Sequence, residues 1–238
     1  TDFDALAGEP DVALYYVTTP DELGSPDLIL LPGSKNTTED LLYIRETGLE
    51  TAIRERVTAG TPLFGICGGY QMLGKVVRDP LHTESEHDET AGFGYFPSET
   101  TFAAQKRLRQ VTASADFTFL GAHISGRNLL GYEIHMGQTD FLEKPLRPFH
   151  ILQADGAVSD GAVSADGLVI GTYIHGIFDD DDFRRSLLNR LRVQRGWSEI
   201  PVQYRYREEK ERAYDRLAET VRASLDMEKL QAIVEENR

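Results

Sequence analysis

The chain has 238 residues, enough to bury a full core as one large α/β domain with an appendage or as two small ones. Its formal charge of −14 disfavours nucleic acid and anionic membrane as partners, because both repel an acidic surface. A single cysteine excludes an internal disulfide, and no secretory or membrane-spanning apolar run occurs, so a cytoplasmic enzyme is the default expectation. The chain starts at Thr1 without a methionine and close to its first expected strand, which reads as a piece of a longer polypeptide.

In chain order, Val12-Ala-Leu-Tyr-Tyr-Val17 is a β-branched and aromatic run of strand length closed by Thr18-Thr19-Pro20, and is expected to be a strand. Asp27-Leu-Ile-Leu-Leu31 is a continuously apolar run of the kind that suits a parallel sheet buried on both faces. It ends in Pro32-Gly-Ser-Lys-Asn-Thr37, a loop of turn formers. Thr47-x-x-Glu50 has the spacing of a capping box opening a helix whose Leu49, Ala52, Ile53 and Val57 share a face, with Gly60 and Pro62 ending it. The next strand, Pro62 to Ile66, runs into Cys67 and then a short helical pattern, giving a βαβα unit for which a right-handed crossover is expected.

Gly65-x-Cys67-x-Gly69 has the layout of a nucleophile elbow, a strand-to-helix turn so sharp that only small residues fit two positions before and after the nucleophile. A cysteine at that point meets the unpaired N–H groups and dipole of a helix N-terminus, both of which favour the reactive thiolate. The N–H of Gly68 is directed where an oxyanion would develop. A small buried cysteine in a glycine-rich turn is the bland alternative, and the glycine spacing weighs against it.

Beyond Gly74, residues 79–90 read as a solvated acidic loop, and His82 and His87 within it lack partners at metal-ligand spacing. From Gly92 to Asp116, short alternating segments such as Leu108 to Ala113 suggest antiparallel strands. Leu129 to Gly137 is a further strand that puts Glu133 and His135 on one side. The repeated Asp155-Gly and Asp160-Gly stretches, with Asp166-Gly167, read as turns and lack the ligand alternation of a calcium loop. Leu168 to Ile174 is a buried-strand run that delivers His175 at its carboxyl end, the edge where open α/β sheets gather catalytic groups. Asp179 to Asp182 is the acidic first turn of a helix over Phe183 to Val193. From about Gln194 the chain turns Arg- and Glu-rich, with Ala213, Tyr214, Leu217, Val221, Leu225 and Leu230 at roughly helical spacing, an amphipathic tail for the domain or for a neighbour. The expected division is therefore residues 1–193 and 194–238.

Gly65 to Gly74, Leu31 to Thr37, Gly131 to Gly137 and Gly171 to Phe178 together resemble the glutaminase domain of the cobyric acid synthases, a branch of the class I glutamine amidotransferases. The resemblance covers the chain to about residue 193 and implies a flavodoxin-like, open and mostly parallel sheet with antiparallel additions. It implies L-glutamine as substrate, Cys67 and His175 as the catalytic pair, an oxyanion hole at Gly33 and Gly68, and a glutamine pocket lined by Gln71, Tyr132, Glu133 and His135. It implies no cofactor or metal here, with ATP and magnesium used by an N-terminal synthetase half that also binds most of the corrinoid; no Walker-type phosphate loop occurs in this chain. Other branches remain open at this point: cobyrinic acid a,c-diamide synthase, lipid II amidation, an α/β-hydrolase-like thiol enzyme, or a silent docking domain. Many class I members carry a glutamate two residues after the histidine. Here that position is Ile177, so the expectation is a dyad, with His175 oriented by a backbone carbonyl or a carboxylate from elsewhere; Glu133 is the first candidate among carboxylates, although its strand is assigned rather to the substrate pocket.

Overall fold

A computed structural model describes residues 2–236; Thr1, Asn237 and Arg238 lie outside the described residues. A single turn of helix, α1 (Asp4–Ala7), leads into an extended stretch and a second short helix, α2 (Pro20–Leu23). The expected strand over residues 12–17 does not form. Val12, Leu14 and Val17 lean on the core while Tyr15 and Tyr16 face outward, so the run has a half-buried pattern without a neighbouring strand to bond. Such side chains fit a pleated surface, but propensity alone supplies no ladder.

β1 (Ile29–Leu31) is followed by two helices where one was expected. α3 (Thr37–Glu46) opens on Asn36, whose side chain accepts the N–H of Glu39 at 3.1 Å. Thr47 caps the end of α3 and donates its hydroxyl back to the Tyr43 carbonyl at 2.8 Å, and Gly48, at φ 83°, turns the chain into α4 (Leu49–Thr58). The Thr47/Glu50 spacing is therefore a helix–helix junction and not a capping box; Glu50 instead pairs with Arg45 and Arg54. Leu49, Ile53 and Val57 bury the expected face of α4, with Ala52 half-buried beside them.

β2 (Leu63–Ile66) is buried throughout and passes through Cys67 into α5 (Gly68–Met72). β3 (Val76–Arg78) and β4 (Glu89–Ala91) bracket the 79–90 loop. The segments expected from Gly92 onward are one continuous strand, β5 (Ser98–Phe119), paired antiparallel with β6 (Ala122–Phe141). Leu120 and Gly121, both at positive φ, form the two-residue turn between them, the geometry that matches strand twist. The pairing is broken twice, where Ala103 to Lys106 stand opposite Met136 alone and where Ser114 stands opposite Arg127 and Asn128.

β7 (Phe149–Gln153) and β8 (Gly156–Asp160) continue the second sheet, in the order β4-β3-β5-β7-β8 with β6 on β5. Asp160 is not a solvated turn residue. It is buried and accepts the Thr172 hydroxyl and the Tyr173 N–H, and burial lifts its carboxyl to about 6. β9 (Ala162–Val163) and β10 (Val169–Thr172) complete the first sheet, in the order β1-β2-β10-β9, with β1, β2 and β10 parallel and β9 antiparallel. This is the expected flavodoxin-like α/β class, with a shorter, mainly parallel sheet and a larger, mainly antiparallel one than the runs suggest, β3 on β5 being the parallel pair of the second.

α6 (Asp181–Gln194) starts on Asp180, whose carboxylate accepts the Phe183 N–H at 2.9 Å. The tail forms α7 (Tyr206–Ser224) and α8 (Met227–Glu236). Only its beginning is anchored by buried groups, through Tyr204 and Tyr206 to Arg184 and Asp181. Among the described residues no helix is long and apolar enough to cross a membrane.

Candidate active site

The site is built at the carboxyl ends of adjacent parallel strands. β2 and β10 pair Gly65 with Gly171 and Ile66 with Thr172, and the Cys67 N–H continues the ladder to the Thr172 carbonyl at 2.8 Å. Cys67 itself is held at φ 51°, the left-handed region that a non-glycine residue adopts only when its surroundings impose it. The flanking glycines are what permit the turn. A Cβ on Gly65 would meet the Gly69 backbone at 2.7 Å, and one on Gly69 would meet the Leu31 carbonyl oxygen at 2.2 Å. The backbone of the elbow is thus packed directly against β1, which a single methyl group would prevent.

Gly33 fits between the two principal side chains. A Cβ there would lie 2.8 Å from His175 Cε1 and 3.7 Å from Cys67 Cβ, so the loop after β1, the elbow and the end of β10 converge on one point. Gly68 packs against Ser34 of the same loop. His175 is 7% exposed, and its Nε2 is buried with no hydrogen-bond partner within the protein. Tyr132 stacks on its ring at 4.9 Å and exchanges backbone hydrogen bonds with it, 2.8 Å one way and 3.2 Å the other.

The other ring nitrogen of His175 has a carboxylate partner. Asp2 Oδ2 stands 2.8 Å from Nδ1, and Asp2 Oδ1 accepts the Gly176 N–H at 2.9 Å. Glu133 does not fill this place: it is buried against Arg109. Burial works against the charged form of His175, yet Asp2 and Cys67 together outweigh it and raise the imidazole to about 9. Asp2 in turn is held below the usual carboxylate range: burial opposes this, and His175 and the Gly176 N–H prevail.

Asp2 is kept in position by a buried ionic network. Glu9, fully buried, receives hydrogen bonds from Arg184 and Arg185 of α6, and Arg185 also binds Asp11 at 3.0 Å. Arg184 adds the Phe178 carbonyl at 2.8 Å, close to the catalytic strand end. The N-terminal segment is therefore stapled beside His175 by charges, with Phe3 and Leu6 supplying the apolar contact. Sequence reasoning missed both Asp2 and this network. The acidic residues at 2, 9 and 11 and the arginines at 184 and 185 carry no local signal of pairing.

A cavity of about 540 Å³ opens above Cys67, lined by Gly33, Gln71, Tyr132, His135 and His175 among others. Gln71 is buried, accepts the Thr37 hydroxyl at 3.0 Å and donates to the Tyr173 hydroxyl at 3.3 Å, so it forms fixed wall. His135 bonds the Gly137 carbonyl through Nδ1 at 2.7 Å and stacks on Tyr173. Glu133 lines a second cavity adjoining the first and not the one above Cys67. Of the residues expected around the substrate, the structure thus brings Gln71, Tyr132 and His135 together with Cys67 and sets Glu133 apart.

A buried cysteine at a strained elbow, an imidazole with one nitrogen free and the other on a carboxylate, and a cavity over them are the parts of a thiol acyl-transfer site. Known proteins resemble the chain to different depths, in fold or in sequence. The solved structure of PurLQS from Thermotoga maritima has the same fold over 74% of this chain and 85% of that chain, with a TM-score of 0.53 at 17% identity. Cobyric acid synthases are similar in sequence: 44% identity for that of Streptococcus sanguinis over 98% of this chain, 45% for Moorella thermoacetica over 98%, and 41% for Citrobacter koseri over 100%. The chain spans about half the length of these curated relatives, 46%, 46% and 47% respectively. The family model described as the CobB/CobQ-like glutamine amidotransferase domain matches residues 1–183. With its elbow cysteine and strand-end histidine inside that match, the chain belongs to the CobB/CobQ-like glutamine amidotransferase domain family.

Proposed function

We propose that this domain hydrolyses L-glutamine at Cys67 and passes the ammonia to an ATP-dependent synthetase half, which amidates the b, d, e and g carboxylates of adenosylcobyrinic acid a,c-diamide as in cobyric acid synthase. The observation that carries the reading is the convergence of Cys67 and His175 on Gly33, with an Asp2 carboxylate oxygen 2.8 Å from the far side of the imidazole, at Nδ1. Cys67 as thiolate attacks the side-chain amide, and the oxyanion is met by backbone N–H groups at Gly33 and Gly68. His175 carries the proton that the thiol gave up and donates it from Nε2 to the departing ammonia. The same nitrogen then takes a proton from water as that water attacks the γ-glutamyl thioester, releasing glutamate and returning the cysteine. Asp2 holds the ring in the orientation that keeps Nε2 toward Cys67 and stabilises the cationic form, the role of the acid in a Ser-His-Asp triad. ATP and magnesium belong to the synthetase half in this reading.

Intact-mass measurement after treatment with a glutamine-analogue affinity label tests it. One adduct is expected, absent in Cys67→Ser. Labelling that survives the substitution would reject Cys67 as the nucleophile.

A further inference from the structure

The 79–90 loop is organised around one buried carboxylate. Asp79 accepts the N–H groups of Thr83, Glu84 and Ser85 and the Thr83 hydroxyl, at 2.8–3.0 Å. The loop so fixed is also tied across to α3, where Asn36 Nδ2 donates to the Glu84 carbonyl at 2.6 Å. The result is a Glu84 side chain held on the wall of the Cys67 cavity, with Oε2 accepting the Thr37 N–H at 3.1 Å.

Glu84 is a carboxylate without a cation. It is only partly exposed, and among the described residues no Lys, Arg or His forms an ion pair with it. Burial raises its pKa, and the negative neighbours Asp79 and Asp40 raise it further, against the help of Thr37. A desolvated anion facing a cavity gains most from a cation that arrives with the ligand. The remaining acid on the cavity wall, Asp2, is already paired with His175, while Lys35 and Lys106 supply positive charge on the same wall. A zwitterion meets both signs there.

We propose that Glu84 receives the α-ammonium group of the substrate and so makes the site select free glutamine over the same amide lacking that group. This rests on the glutaminase reading. The alternative is that Glu84 serves only the N-terminus of α3, where a carboxylate is stabilising in any case.

The full-length polypeptide separates the two with L-glutamine and glutaramate, the identical chain without the α-amino group, as substrates. Ammonia release is measured for wild type, Glu84→Gln and Glu84→Asp. A charged hydrogen bond of the usual strength predicts that Glu84→Gln loses about 10- to 100-fold in kcat/KM for glutamine, chiefly through KM. The ratio of glutamine to glutaramate turnover should fall by the same factor, and Glu84→Asp should recover part of it. Equal losses on both substrates, or an unchanged preference for glutamine, would overturn the inference while leaving glutaminase activity established. Absence of glutamine turnover and of Cys67 labelling in the wild type would overturn the glutaminase reading and this inference with it.

Discussion

Two regions hold the proposed catalytic groups, and they are held by different physics. Cys67 and His175 sit at the ends of β2 and β10, where parallel ladder bonds, glycine-limited backbone contacts and the buried strands of the core set their positions. Asp2 rides on a segment with no strand pairing, fixed by a few buried ions on α6 and by Phe3 and Leu6. The first arrangement spreads its stability over many contacts. In the second, removal of one charge leaves buried partners short of a counter-charge, which is the costly case. The two ends of the proposed triad should therefore fail differently.

The largest effect is expected on the ionic staple. Glu9→Gln leaves Arg184 and Arg185 without their shared carboxylate and should cost about 3–5 kcal/mol in unfolding free energy by denaturant titration. Activity should fall more than the loss of folded protein explains, because Asp2 is released from His175. A variant with full stability would show that the segment is held by its apolar contacts alone.

The coupling between the regions also has a pH signature. Because the folded pKa of His175 lies above its ordinary value, at about 9, its protonation stabilises the fold fully below pH 6.5, and this contribution is lost as pH rises through 9. The stability difference between wild type and His175→Gln should shrink over that window. Asp2→Asn should move the end of the window to lower pH, since burial then acts on His175 with less opposition. NMR titration of the imidazole would follow the same change directly, and a pKa unmoved in Asp2→Asn would separate the two regions.

The smallest effect is expected far from both, on the tail. Leu217, Val221 and Leu230 are exposed, so Leu217→Ser should alter domain stability by no more than about 0.5 kcal/mol. A larger loss would mean that α7 packs on the domain more closely than its exposure shows.

The same contrast explains what the sequence disclosed. Gly65-x-Cys67-x-Gly69 is legible because a steric requirement acts between residues two apart, and the run into His175 is legible because a buried strand must be apolar throughout. Asp2 lies 173 residues from its partner, and nothing local distinguishes it from a surface acid. Residues 12–17 have strand composition without a strand to pair with, and Thr47 has capping-box spacing but ends one helix instead of opening another. The break in β5 at Ala103 to Lys106 is likewise invisible, since its length depends on the register that β6 imposes. Glu133 and His135 line one cavity together, but only His135 also reaches the cavity above Cys67, a distinction that strand alternation does not encode.

Whether Asp2 acts through His175 is read most directly from steady-state glutamine hydrolysis by full-length Asp2→Asn. If Asp2 completes a triad, kcat falls by about 10²- to 10⁴-fold while the KM for glutamine stays within about twofold, in line with acid removal from a Ser-His-Asp site. A kcat within a few-fold of wild type would contradict the account and leave Cys67 and His175 working as a dyad.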